Sequence, residues 1–139
     1  MTTIAWDGET VAADSQITGD FIYTVDDKKI FRVNGAIVGA SGDSEQCLKF
    51  IEWYKDTSKE YPKKMNDLSA MVVTSIGAFE YGESDVPTLL AAPHAIGTGA
   101  KFAMGAMLAG ASAKQAVDIA CRLCKYSRPP IRTMRLKNG

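Results

Sequence analysis

Two dipeptides constrain this chain more than any other feature. Asp7-Gly8 separates "TTIAW" from "ETVAA", and Asn34-Gly35 separates "KKIFRV" from "AIVGA". Both dipeptides tolerate the positive φ of tight hairpin turns, so each flanking pair reads as two antiparallel strands. "TGDFIYTVDD" reads as a looser connection or a short strand between them. Strands joined this closely cannot be the neighbours of a parallel βαβ unit, whose crossovers need about a dozen residues or more.

After "GASG" the pattern changes. Asp43 and Gln46 have capping-box spacing, and Cys47, Leu48, Ile51 and Tyr54 recur at helical spacing. This predicts a helix near 44–60, ended by Pro62. "LSAMVVTSIGAFEYG" returns to strand character with a turn near Gly77, and "TLLAAPHAIGTG" is a further extended stretch. "AKFAMGAMLAG" reads as a helix closed by Gly110. Ser112 and Gln115 then repeat the capping-box spacing. Ala113, Ala116, Val117, Ala120, Leu123, Cys124 and Ser127 share one helical face, and Pro129-Pro130 stops it. "IRTMRL" supplies a last edge strand. Strands in hairpins and helices in blocks imply an α+β fold, with antiparallel sheets covered by helical layers. The 139 residues contain no repeat or linker and suit a single domain over 1–139.

Composition excludes several function classes. Lys+Arg and Asp+Glu both number 16, so no net field draws nucleic acid or an acidic membrane surface. The first residues do not form a secretory signal, and no run approaches the ~18 apolar residues of a membrane helix. Cys47, Cys121 and Cys124 are an odd count without a signal, which reads as reduced thiols in a cytoplasmic protein. "CRLC" is a single C-x-x-C, and His94 is the only histidine, so a closed zinc site lacks ligands. Its place late in a helix also argues against a redox pair. No metal and no cofactor are expected.

Two charged residues sit where charge is awkward. Strand alternation in "KKIFRV" puts Lys29, Phe31 and Val33 on one face and Lys28, Ile30 and Arg32 on the other. An ammonium at the edge of an apolar layer needs a carboxylate partner or a function. Asp14 ends "VAAD" and is the natural partner from a neighbouring strand. Three small-residue turns, "GASGDS", "IGTGA" and "YSRPP", complete the set. The first two lead into helix starts, where backbone N–H groups favour negative charge. Neither matches a phosphate-binding glycine fingerprint.

Taken in order, "TTIA…VAADSQ…KKI…GASGD…AIGTGAKFAMGA…SAKQAVDIACRLCKYS" resembles the proteasome β-subunit family of N-terminal nucleophile (Ntn) hydrolases. The likeness is nearest to the bacterial two-component protease subunit HslV and small stand-alone relatives, and it spans about residues 2–128. It implies a four-layer αββα sandwich of two antiparallel sheets, here shortened, from a bacterial or phage source. By position it places the nucleophile at Thr2, an acid at Asp14, a lysine at Lys29 and an oxyanion-hole N–H at Gly42. Thr98 falls where the family usually has a serine beside the nucleophile. Ser127 matches a hydroxyl that supports the N-terminal amine. Cys124 stands where archaeal and eukaryotic members carry an acid, a departure that is itself HslV-like. Ile17, Phe31 and Ala40 fall by position on the substrate pocket, which would favour an apolar or medium-sized side chain.

The chemistry explains these residue types. A threonine hydroxyl is a weak nucleophile and needs an adjacent base. At the first position its own α-amine can serve, directly or through a water, because such an amine is partly neutral near neutral pH. A nearby Lys29 ammonium favours the neutral amine and the ionised hydroxyl. Asp14 would orient Lys29, the Gly42 N–H would hold the oxyanion, and Thr98 and Ser127 would aim the amine.

The chain is short for the family. A second helix of larger relatives and most strands after the last helix are missing, so the expected homo-oligomer has no assigned ring size. An unfolding ATPase partner has no sequence feature behind it. Only Met1 precedes Thr2, so activity on a peptide or protein substrate requires methionine removal. The rival reading is a structural or assembly protein that keeps the fold without the reaction. A third is an amidase for small molecules that uses the same atoms.

Overall fold

Antiparallel pairing runs through the whole molecule. The computed structural model describes residues 2–18, 22–24, 28–124 and 127–136, with backbone alone at 17–18 and 22–24. In chain order the elements are β1 (Thr3–Trp6), β2 (Thr10–Ala13), β3 (Ile17–Thr18), β4 (Ile22–Thr24), β5 (Ile30–Val33), β6 (Ala36–Gly42), α1 (Ser44–Lys55), β7 (Leu68–Thr74), β8 (Gly77–Tyr81), β9 (Thr88–Leu90), β10 (His94–Gly97), α2 (Ala100–Leu108), α3 (Ala113–Leu123) and β11 (Arg132–Arg135). One sheet has the order β10-β1-β2-β11, a second has β5-β6-β7-β8-β9, and β3-β4 form a small ribbon. Among the described residues no helix is long and apolar enough to cross a membrane.

Period-two alternation sorts the strand side chains into three cores. Along β6, Ala36, Val38 and Ala40 face α1, where Phe50 and Trp53 cover them. Ile37 faces the other way, onto Ile4, Val11, Ala13, Ile30 and Ile96 between the two sheets. Ala5, Ala12 and Ala95 turn to α2 and α3 and meet Ala103, Ala113, Ala116 and Val117. Small residues on both sides let these helices lie close to their sheet. The result is the expected αββα sandwich of two antiparallel sheets, with α1 outside one and α2 and α3 outside the other.

Both hairpin signals form turns. Asn34 and Gly35 have φ of 51° and 79°, the pair of positive values that a two-residue hairpin needs. β11 is the edge strand expected of "IRTMRL", paired to β2. The β7–β8 turn falls just before Gly77. "TLLAAPHAIGTG" divides: Thr88–Leu90 joins one sheet and His94–Gly97 the other, so this stretch carries the chain between layers.

The helix ends depart from the expectation. α1 stops at Lys55 instead of near residue 60. Asn34 in the distant hairpin donates its side-chain amide to the carbonyls of Tyr54 (3.0 Å) and Lys55 (3.2 Å), ending the helix there. The α1 capping box is half made. Asp43 accepts from the Gln46 N–H, but the Gln46 side chain donates to Asn66 and accepts from the Asp67 N–H. The box at Ser112 and Gln115 is complete. α3 ends at Leu123, before the two prolines, and Leu123 is 63% exposed rather than part of the packed face. Cys121 takes that inward place, two positions earlier in the chain.

Candidate active site

Thr2 and Thr3, where the chain enters β1, meet different partners. The Thr2 N–H donates to Thr98 Oγ1 at 3.3 Å, and the Thr98 hydroxyl lies 3.4 Å from the Thr2 carbonyl. The Thr3 N–H donates to Asp14 Oδ1 at 2.9 Å. Thr3 Oγ1 lies 2.7 Å from Ser127 Oγ, with both residues fully buried. β1 and β10 register Thr3 against Gly97, which brings the "GTG" segment alongside both threonines. A side chain at Gly97 would collide with the Thr2 carbonyl, and one at Gly99 would collide with the Thr3 hydroxyl. The segment is therefore a cradle for the start of β1 as well as a turn into α2.

Asp14 is the hub beneath it. It lies just past β2, and its side chain is fully buried. Its two oxygens accept from Lys29 Nζ (3.0 Å), the Thr3 N–H (2.9 Å), the Gln16 N–H (3.3 Å) and the Arg128 N–H (3.1 Å). Lys29, 6% exposed, also donates to the Gln16 carbonyl. Four chain segments thus converge on one carboxylate. A charge taken this far from water needs such partners. Alternation alone could not choose the wet face of β5, since Ile30 packs between the sheets while Phe31 and Val33 pack toward α1. The ammonium is drawn in by Asp14.

Gly42 ends β6 with φ of 120°, pressed against the Asp67 carbonyl so closely that any side chain would overlap it. Asp67 is fixed from behind by its N–H bond to Gln46 and by its carbonyl, which accepts from the Asp43 N–H at 2.9 Å. Ser41, one residue earlier, has its hydroxyl 3.3 Å from where a Gly97 side chain would begin. This brings the end of β6 to the cradle.

Other expected residues fall differently. Ser127 Oγ bonds the Thr3 hydroxyl, while the Thr2 nitrogen bonds Thr98. Phe31 and Ala40 belong to the core beneath α1, with Lys28 Nζ 5.2 Å from the Phe31 ring centre. Ile17 pairs with Thr24 through its backbone, and its side chain lies outside the described residues. Met1 lies outside them too, as does Tyr126 of "YSRPP". Thr3, Ser41, Gln16 and Arg128 were not singled out by the sequence. Gln16 and Arg128 meet Asp14 and Lys29 through backbone atoms, which leave no trace in residue type. Thr3 did leave a signal, a hydroxyl on a strand face otherwise carrying alanine.

The thiols nearby are poor nucleophiles. Burial, with Asp43 and Asp67 close by, pushes Cys47 up to about 11. Burial, with Asp14 and Asp118 adding to it, pushes Cys121 up to about 12. Both are free and almost wholly protonated near neutral pH.

No protein-family model matches the sequence, and no curated protein matches it. Solved structures do match in fold. Eukaryotic HslV from Trypanosoma brucei superposes with a TM-score of 0.73 at 19% identity, covering 99% of each chain. Thiobacillus denitrificans BPH in complex with epoxomicin gives 0.71 at 18% identity, again over 99% of both chains. The same protein without that compound named gives 0.67 at 18% identity and the same coverage. The chain thus has the fold of the HslV and BPH structures along its whole length.

Proposed function

We propose that this chain is a threonine-type N-terminal nucleophile hydrolase that cleaves peptide bonds once Met1 has been removed. The observation that carries the reading is the buried Asp14–Lys29 pair, set behind the Thr2–Thr3 peptide while Thr98 Oγ1 takes the Thr2 nitrogen. A buried ion pair contributes little net stability, and such pairs gather where a reaction needs charge. The likeness in fold to a structure holding epoxomicin supports the same reading.

The steps follow from the residues. Thr2 Oγ1 attacks the carbonyl carbon of the scissile amide, and its proton passes to the free α-amine of Thr2. Lys29, oriented by Asp14, stabilises the negative charge gathering on Oγ1. The Gly42 N–H binds the oxyanion, a contact whose loss typically costs ~10²–10³ in rate. The C–N bond breaks, and the proton held by the amine goes to the leaving nitrogen. Water, deprotonated by the same amine, then hydrolyses the acyl ester and frees Thr2. The protein works in the cytoplasm as a homo-oligomer, and the half-buried Phe31, at the edge of the core beneath α1, borders the pocket for an apolar substrate side chain.

Intact mass spectrometry with and without epoxomicin tests the reading. The expected result is a chain lacking methionine that gains one epoxomicin mass on the wild type and none on Thr2→Ala. Quantitative retention of Met1 in the native host, or no adduct on the trimmed chain, would leave the inactive structural protein as the better account.

A further inference from the structure

The hydroxyl of Thr3 has no part in the steps above, yet it is among the most constrained polar groups in the molecule. Thr3 is 0% exposed, as is Ser127, and their oxygens lie 2.7 Å apart. The two residues are 124 positions apart in sequence, so the bond joins the start of β1 to the segment leaving α3. Gly99 closes the other side, where even a methyl group would strike Thr3 Oγ1. The Thr3 N–H is meanwhile tied to Asp14 Oδ1, and Asp14 Oδ2 accepts from the Arg128 N–H beside Ser127. The peptide joining Thr2 to Thr3 is therefore held at its nitrogen by Asp14 and through the Thr3 side chain by Ser127.

We propose that Thr3 is a positioning residue. Its hydroxyl, locked between Ser127 Oγ and Gly99, sets the rotation of the Thr2–Thr3 peptide and so aims the Thr2 nitrogen at Thr98 Oγ1. Thr2 stands just before β1, so the pairing of that strand does not fix its torsions. The next residue must supply that restraint. An apolar side chain of the same shape would fill the space but leave Ser127 Oγ unpaired in a buried site, and the peptide would turn to relieve it. Ser127 then acts through Thr3, and Thr98 alone of the two hydroxyl residues touches the Thr2 nitrogen. This inference rests on the proposed reaction only for its kinetic readout.

The test compares Thr3→Val, Thr3→Ser and Ser127→Ala with the wild type, at a temperature where circular dichroism shows each folded. Thr3→Val and Ser127→Ala should each lower kcat about 10²-fold with KM nearly unchanged, the loss expected for a reacting group moved by about 1 Å. Thr3→Ser keeps the hydroxyl and should stay within about threefold of the wild type. The double variant Thr3→Val/Ser127→Ala should be no worse than either single one, since both remove one bond. Crystal structures of the wild type and of Thr3→Val supply a readout independent of activity. The Thr2 nitrogen should leave Thr98 Oγ1 in the variant. If it stays there, or if kcat in Thr3→Val equals that of the wild type, the proposal is wrong. Equal losses in Thr3→Val and Thr3→Ser would overturn it too, by assigning the effect to the methyl group. Should the wild type itself take no epoxomicin and turn nothing over, the reaction is refuted, and the two structures still decide the role of Thr3. If Thr3→Val does not fold, Ser127→Ala removes the same bond and carries both readouts.

Discussion

Gly97 shows how tightly the site is specified by single residues. Its φ of 97° disfavours any side chain, and the Thr2 carbonyl occupies the space a Cβ would fill. Gly97→Ala should therefore lower stability by at least about 1 kcal/mol and abolish epoxomicin labelling. Gly97→Asn, which tolerates positive φ, should fail equally because the collision remains. Denaturant melts and intact mass would check both. Lys29 poses a different question. Removing it leaves a buried carboxylate without its ammonium, a loss that typically costs about 3–5 kcal/mol. Three backbone N–H groups remain on Asp14, so Lys29→Ala should lie at the lower end of that range and still fold. Urea unfolding would measure it, and a cost below about 1 kcal/mol would mean that the pair is already dispensable for folding. The thiols give a third test. With Cys47 near 11 and Cys121 near 12, alkylation by iodoacetamide at mildly alkaline pH should be much slower in the native chain than in the urea-unfolded one. The Asp14–Lys29 pairing was legible because a lysine at the edge of an apolar layer calls for a carboxylate from a neighbouring strand. The partner of Ser127 was not, because a hydroxyl pair closed across 124 positions depends on the packing of α3 against β1.

Connections between elements explain where the sequence signals stopped short. The Asp7-Gly8 turn was readable, but Asp7 does more than turn the chain. Its Oδ1 accepts from the Glu9 and Thr10 N–H groups, and its Oδ2 accepts from the Ala113 N–H in the first turn of α3. One carboxylate thus folds a hairpin and caps a helix 106 residues away. Burial opposes its charge, but the N–H groups of Thr10, Ala113 and Glu9 prevail and hold Asp7 below its ordinary value. A carboxyl with a depressed folded pKa stabilises the fold above its unfolded value and loses that contribution as pH falls through the folded one. Asp7→Ala should hence destabilise the chain by about 1–3 kcal/mol at neutral pH, with the difference from wild type shrinking below about pH 4. Thermal melts across that range would show it, and a gap independent of pH would rule the charge out. The same distance from local sequence hides the true end of α1. Spacing could carry the helix to Pro62, whereas Asn34 halts it at Lys55 from another element. Strand positions were easier to read because glycine turns mark them locally. The end of α1, by contrast, is set by a side chain that arrives from elsewhere.

The order of layers follows from alternation and helix periodicity. The placement of β10 beside β1 does not, since it requires the chain to cross between sheets after β9. That crossing brings Thr98 to Thr2 and leaves α1 alone on the far face. α1 is attached there largely through aromatic contacts. Phe50 lies 5.2 Å from the Tyr81 ring centre, and Trp53 meets Tyr61 edge-on at 4.8 Å. Tyr61 donates its hydroxyl to the Gly82 carbonyl at 2.6 Å. Burial, with Tyr81 and Asp85 adding to it, pushes Tyr61 up to about 12, and burial also raises Tyr54 and Tyr81. Unfolded tyrosines ionise near 10, so the fold loses stability as pH rises from there toward 12, because only the unfolded chain can release these protons readily. Tyrosinate absorbance should hence rise together with the loss of near-ultraviolet aromatic dichroism, in one alkaline transition rather than as free phenols. Tyr61→Phe should move that transition upward while lowering stability at neutral pH by about 1 kcal/mol through the lost hydrogen bond. If Tyr61 titrates near 10 with the dichroism intact, the cluster does not govern alkaline stability.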